Sequence, residues 1–297
     1  MSEEFSVENG LRQGDALSPM LFNIALQYVV RAVIEFNTGI KIQENTEATI
    51  MAYADDIMIV TESEANLKKT TADLIEKSKD MGLVINEIGQ MRFERVETFK
   101  YLGVGLDTTN GGHNEVQRRI TAANRCFRML RTLFKSRILS KKSKITMYKV
   151  LVRPIALYAC KVWPSTKIDE KKLVIFERKV LRQIFGPKMK EESKEFERRT
   201  NDDLYELYNQ PDIVTVMKSK RIGWAGHVWR AEGKIINKIT SWKLNKKRPL
   251  GRPRQRWSDR VYQDLRLIGV DNPEEMAKDR ERWEEVVVAA KGLNGLY

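Results

Sequence analysis

Cysteine and histidine are scarce, with two of each in 297 residues. That count excludes a disulfide framework and a cysteine-rich zinc site, which need four or more such side chains at set spacings. Cys126 and Cys160 each sit in an apolar-periodic stretch and read as buried free thiols. No uninterrupted apolar run approaches the roughly 18 residues that a membrane span requires. Met1-Ser2-Glu3-Glu4-Phe5 is acidic and lacks the basic and apolar regions of a secretory signal. The expectation is a nuclear or cytoplasmic protein that is not secreted and has no membrane partner.

A further absence is local. Between Glu115 and Asp169 there are 14 Lys/Arg and no acidic residue. A solvated helix face usually mixes both signs, so this stretch points to a partner that supplies negative charge. Residues 1–112 hold 10 Lys/Arg against 18 Asp/Glu, a net of −8, while the remaining residues carry +21. Nucleic acid is the expected partner, since neutralising phosphates with Lys/Arg releases counterions. An anionic membrane surface is the rival, with no motif behind it.

Ser18-Pro19 starts a helix, with Ser18 as cap and Phe22, Leu26, Val29, Val30 and Val33 at helical spacing. Ile50-Met51-Ala52 and Ile57-Met58-Ile59-Val60 flank Tyr53-Ala54-Asp55-Asp56 as a hairpin. A helix follows over 66–81, stopped by Gly82. Strands are expected at Leu83-Val84-Ile85 and at Phe99-Lys100-Tyr101-Leu102-Gly103-Val104. Beyond the turn-rich Thr108–Gly112 the chain reads as helical. Ile120, Ala123, Phe127, Leu130 and Phe134 form one apolar stripe with the arginines off it. A second helix from Lys142 turns Ile145, Tyr148, Val152 and Ile155 inward and kinks at Pro154. Further helices are expected over 170–184, 202–208, 214–228, 257–267 and 273–290.

Asp55 and Asp56 at a hairpin tip repel one another, and a divalent cation is the usual compensation. Their hard oxygens suit Mg²⁺, which binds one or two carboxylates together with substrate phosphates. The plainer reading is an ordinary acidic turn, against which the close apolar flanks weigh. His227, between Trp224 and Trp229, has no companion ligand set and reads as a packed or hydrogen-bonded residue. Lys247–Arg254 resembles a single AT-hook weakly; a basic linker or import patch is the alternative.

Tyr53-Ala54-Asp55-Asp56 resembles the catalytic tetrapeptide of reverse transcriptases, and Gly10-Leu11-Arg12-Gln13-Gly14-Asp15-Ala16-Leu17-Ser18-Pro19 resembles its usual upstream companion. Gly82-Leu83-Val84-Ile85-Asn86 and Phe99-Lys100-Tyr101-Leu102-Gly103 are similar to the next two motifs, in the same order. Phe176-Glu177-Arg178-Lys179-Val180-Leu181, Trp224-Ala225-Gly226-His227 and Arg252-Pro253-Arg254 extend the likeness to the LINE-type (non-LTR) retrotransposon enzymes. The resemblance implies an RNA template and DNA primer as partners. It implies Mg²⁺ at Asp55 and Asp56, with Arg12, Gln13, Gly14 and Tyr53 beside template and substrate. Arg118, Arg119, Arg125, Arg128, Lys141, Lys142, Arg252 and Arg254 are the expected nucleic-acid contacts.

Two departures accompany the resemblance. The family's third catalytic Asp precedes the Gln-Gly segment, and the chain is expected to lack it, along with the first palm strand, the fingers and any endonuclease domain. A Lys-Thr pair that the family carries after Asn86 is replaced by Gly89-Gln90. The expected architecture is α+β: a partial antiparallel palm sheet with packed helices over 1–112, a helical thumb over 113–165 and a basic helical domain over 166–297. The expected function is a reverse transcriptase fragment impaired alone, with room for a partner supplying the palm strand and fingers. The alternative is a non-catalytic nucleic-acid-binding relic.

Overall fold

The apolar spacing after Pro19 folds as a helix in the computed structural model, which describes residues 14–43, 46–83, 96–108, 112–189, 194–242 and 255–292. Helix α1 (Ser18–Phe36) buries Leu26, Val29 and Val33 and half-buries Phe22 and Val30. Its cap is Leu17, not Ser18, and the Asp15 carboxylate accepts the Leu17 N–H at 2.9 Å. Pro19 stands in the first turn, where a missing N–H costs no helix bond. Among the described residues α1 is the one helix long and apolar enough, by length and composition, to cross a membrane. Counting only uninterrupted runs missed this, because single polar residues break up the stretch.

The chain divides into two compact units, Met1–Gly103 and Val104–Tyr297. In the first, β1 (Ile40–Gln43) pairs antiparallel with β2 (Thr46–Ala48), and β3 (Ile50–Tyr53) pairs with β4 (Asp56–Ile59). Helix α2 (Glu64–Asp80) starts two residues before the expected 66, because the Ser63 hydroxyl accepts the Asn66 N–H and caps it. Ile50, Ile57 and Ile59 pack on Val29, Val33 and Leu74, so both helices cover one face of the β3–β4 hairpin. Asn37 ties the helices together by donating to Asp73 at 2.8 Å and to the Val33 carbonyl at 2.9 Å. β5 (Thr98–Tyr101) lies by β3, the Tyr101 hydroxyl donating to the Met51 carbonyl at 3.3 Å. The described strands form two-stranded pieces and not one continuous sheet. The strand expected at 83–85 lies outside the described residues from Val84 on.

One expected strand over 99–104 is in fact broken. Leu102 and Gly103, at φ 47° and 77°, form a left-handed turn that separates β5 from β6 (Val104–Asp107). β6 belongs to the second unit because the Gly105 N–H donates to Glu115 Oε2 at 3.0 Å, which draws the boundary back from the expected 112.

In the second unit α3 (Gly112–Met129) and α4 (Arg131–Lys135) carry the predicted stripe: Ile120, Ala123, Phe127 and Phe134 are buried and Leu130 is half-buried. The helix expected from Lys142 is α5 (Lys141–Met147), a π turn at Tyr148–Val152 and α6 (Arg153–Ala156). Pro154 has no N–H and would clash with the carbonyl one turn back, and the wider π turn absorbs that conflict without a sharp break. α7 (Lys167–Phe185) begins with a Thr166–Asp169 capping box and ends at Gly186, φ 72°. β7 (Lys188–Met189) and β8 (Phe196–Glu197) make a short antiparallel pair before α8 (Asn201–Tyr208).

One core runs from Val116 through Phe134, Tyr148 and Leu173 to Met217, straight through the expected boundary at 165. A second gathers Ile222, Ala225, Val261, Leu265, Trp283 and Val286. Helix α9 (Ile213–Arg230) serves both cores and is buried over most of its surface, with Lys220 and His227 exposed. Gly226 is fixed by contact: a Cβ there would lie 2.1 Å from the Trp283 indole nitrogen, which donates to the Ile222 carbonyl. α10 (Ile235–Ser241), which the spacing did not suggest, α11 (Trp257–Arg266), α12 (Pro273–Met276) and α13 (Arg280–Ala289) follow. The last two replace one expected helix, because Asp279 caps a fresh start at Arg280. The fold class is α+β, as expected. Cys160 is buried, and burial pushes its thiol up to about 11; Cys126, expected buried, is half-buried.

Between the two cores lies a buried ionic network. The Arg221 guanidinium donates to Asp264 Oδ2 through Nε at 2.9 Å and Nη2 at 2.6 Å. Its Nη1 donates to the Trp163 carbonyl and the Ser165 hydroxyl, both at 2.9 Å. Ser165 in turn donates to Glu170, which also accepts from Arg260. Glu177 is buried elsewhere in the first core, accepting from the Tyr148 hydroxyl at 2.7 Å and the Ile213 N–H at 2.8 Å.

Asp264→Asn leaves the buried Arg221 charge without its nearest counter-ion, with only Glu170 at 3.9 Å, and is expected to cost about 3–5 kcal/mol, read from urea unfolding. Glu177 is raised to about 7, chiefly by burial, so the folded state binds the extra proton between the unfolded value near 4.5 and about 7. Its contribution is therefore full below pH 4.5 and lost as pH rises through 7, by about 2–3 kcal/mol. Glu177→Gln should flatten the fall in unfolding midpoint between pH 5 and 8; an unchanged profile would refute the assignment.

Candidate active site and nucleic-acid interface

The β3–β4 hairpin has two different faces. In its register Ile50 opposes Ile59 and Ala52 opposes Ile57, and these isoleucines are the ones packed on α1 and α2. Met51 opposes Met58 and Tyr53 opposes Asp56, so alternation puts these four on the other face. That outer face is open, with Tyr53 68% exposed and Asp55 and Asp56 both exposed at the apex. Ala54 makes the tight reversal possible by adopting φ 49°, a conformation that a β-branched residue would resist. The turn thereby presents two adjacent carboxylates to solvent beside an aromatic ring, on a base held by apolar packing.

The donor chemistry of these carboxylates fits a hard divalent cation. No group of three or more His, Cys, Asp or Glu is brought together among the described residues. Gly14 is exposed at φ 90°, four residues before α1, whereas Arg12 and Gln13 lie outside the described residues. Arg252 and Arg254 lie outside them as well.

The predicted basic contacts separate into two kinds. Arg125 and Arg128 are exposed on α3, and Lys141 and Lys142 are exposed at the start of α5. Arg119 is only 16% exposed, bonds to the buried Glu115 through Nε and lies 4.3 Å from the Tyr158 ring. Arg118 also reaches Glu115, at 3.6 Å, with its guanidinium against Gly105. Glu115 therefore claims both arginines, and a carboxylate at i−4 and i−3 is the signal that identifies them in sequence. His227 is exposed, not packed in a core, and stacks on Trp224 with ring centroids 4.9 Å apart. His113 pairs through Nδ1 with the buried Asp169. The residues that sequence reasoning missed are the buried charges Glu170, Arg221, Arg260 and Asp264. Their signal was position: Arg221 falls between Met217 and Ala225, and Asp264 between Val261 and Leu265, on apolar helix faces.

Residues 1–106 match the reverse transcriptase (RNA-dependent DNA polymerase) family. That segment, which contains α1, both apical aspartates and the hairpin beneath them, is similar to the reverse transcriptase family over about a third of the chain. The chain is 33% identical over 115 residues to the polyprotein of an R2 retrotransposable element from Nasonia vitripennis, and 28% over 80 residues to that from Popillia japonica. Those matches take in 35% and 27% of this chain but only 11% and 13% of the polyproteins. A transposon-derived protein of Caenorhabditis elegans is 24% identical over 267 residues, 80% of this chain and 95% of its own length.

The division among the basic residues is directly measurable. Arg119→Ala should lower stability by about 1–3 kcal/mol, because it removes the close donor to the buried Glu115 Oε1 and leaves only the Gly105 N–H and Arg118 on Oε2. Arg125→Ala with Arg128→Ala should leave the unfolding midpoint in place and weaken binding to an RNA–DNA duplex. Destabilisation by the second pair, or none by the first, would reverse the assignment.

Proposed function

We propose that the chain acts as the metal-binding and duplex-gripping part of an RNA-directed DNA polymerase. The observation that carries this reading is the hairpin: Tyr53-Ala54-Asp55-Asp56 stands at an exposed apex whose inner face alone is packed. In this reading the first unit is a palm, with α1 and α2 behind it and the outer face toward the primer terminus. Residues 113–165 act as a thumb, and residues 166–297 form a basic helical domain.

Asp55 and Asp56 hold Mg²⁺, which when bound neutralises charge developing on the transferred phosphate. Tyr53, beside Asp56 on the outer face, shapes the floor on which the primer end rests. Arg12, Gln13 and Gly14 position template and incoming nucleotide. The primer 3′-oxygen forms the new bond to the α-phosphorus while the bond to pyrophosphate breaks. Arg125, Arg128, Lys141 and Lys142 fix the duplex by its phosphates, positions that carry no sequence information. The open apolar face of α1, with Leu17, Met20, Leu21 and Ile24 exposed, is where a partner bearing finger segments docks.

A second reading, a nucleic-acid-binding relic without catalysis, is favoured by one observation: no third acidic side chain joins Asp55 and Asp56 among the described residues. Primer extension on an RNA template with Mg²⁺ and deoxynucleotides separates the two. The polymerase reading expects extension that falls at least a thousandfold in Asp56→Asn, equivalent to about 4 kcal/mol of transition-state stabilisation. Duplex binding with no extension by the unaltered chain would leave the relic.

A further inference from the structure

A cluster of arginines lies on elements that the polymerase reading does not use. Arg178 and Arg182 project from one face of α7, four residues apart, toward the first turns of α8. Arg178 donates to the Tyr205 hydroxyl at 2.9 Å with its guanidinium 5.2 Å from that ring, and Arg182 donates to Asn201 Oδ1 at 2.7 Å. All of these partners are neutral. The Nε of each arginine is buried with no hydrogen-bond acceptor among the described residues. Arg198, exposed on the approach to α8, adds a third charge within electrostatic reach. Partial burial lowers the pKa of Arg182, and the Arg198 and Arg178 guanidinium groups lower it further. The nearby carboxylate of Asp203 is turned to its own helix cap, accepting the Thr200 N–H at 2.9 Å, with Lys188 3.9 Å away.

Two guanidinium groups bonded to neutral partners, with a third positive charge within electrostatic reach, form a costly arrangement for a free protein and a suitable one for an anion with several acceptor oxygens. Planar guanidinium groups match phosphate geometry in particular. We propose that Arg178, Arg182 and Arg198 form a second backbone-phosphate contact for nucleic acid, set on α7 and the segment leading into α8. Tyr205 and Asn201 hold two of the three guanidinium groups in place and leave the third free to follow the strand. That the phosphate belongs to a nucleic acid rests on the polymerase reading; the arrangement of the arginines does not.

The test is fluorescence anisotropy of a labelled RNA–DNA duplex against the full chain over a range of salt concentrations. Each phosphate contact contributes about 0.9 to the slope of log affinity against log salt. The double variant Arg178→Gln, Arg182→Gln should make the slope shallower by about two. Because that variant also loses bonds to α8, Arg198→Gln is measured beside it; this exposed change should remove about one with no shift in thermal midpoint. Slopes equal to the unaltered chain in both variants would overturn the proposal and leave the polymerase reading standing. Failure of the unaltered chain to bind duplex at all would overturn the phosphate contact as well, while primer extension reports separately on Asp55 and Asp56.

Discussion

The second unit is organised around a guanidinium that water never reaches. Arg221 sits midway along α9, between the core ending at Met217 and the core beginning at Ile222. Taking such a charge out of water costs several kcal/mol, and only close counter-ions and saturated donors offset it. Here the offset comes from four places at once: Asp264 on α11, the Trp163 carbonyl, Ser165 and, through Ser165, Glu170 on α7. Each contact fixes the position of one element relative to α9. Hydrophobic packing alone tolerates sliding, whereas this network admits one register, so two apolar cores become one unit.

The hairpin of the first unit uses the opposite strategy. Its carboxylates are kept at the surface, and its rigidity comes from three isoleucines pressed on α1 and α2. Strand alternation then makes the outer face, with Met51, Tyr53, Asp56 and Met58, a consequence of packing the inner one. A surface turn seldom has so firm a base. The combination of firm base and exposed charge is what suits the apex to hold an ion and a phosphate at set positions.

Basic residues in the acid-free stretch are not equivalent, and tertiary contacts decide which are available. Glu115, the last acid before the stretch, draws in Arg118 and Arg119 and leaves Arg125 and Arg128 outward. On α7 the pattern is different again: the hydrogen bonds that Arg178 and Arg182 make to α8 go to neutral groups, the Tyr205 hydroxyl and Asn201. Net charge therefore does not show which arginines are exposed and which are held by other side chains.

The local chemistry of this protein was written in its sequence. The 3.6-residue stripe from Ile120 to Phe134, the Tyr53-Ala54-Asp55-Asp56 hairpin, the stop at Gly82 and the trouble at Pro154 depend on neighbours within a few residues, and all could be read from spacing. The likeness to reverse transcriptases over residues 1–106 was legible too, because the motifs that carry it are short and ordered. The turn at Leu102–Gly103 escaped notice because apolar residues continue through it and only φ marks the break. The continuity of packing across 165 was hidden for a related reason: one core holds residues from both sides of that position, and contacts between distant residues do not show in local spacing. Which arginines are buried, paired or free was decided only by the tertiary structure, because a charge is neutralised by what is close in space. Arg221 and Asp264 are 43 residues apart in the chain and 2.6 Å apart in the fold.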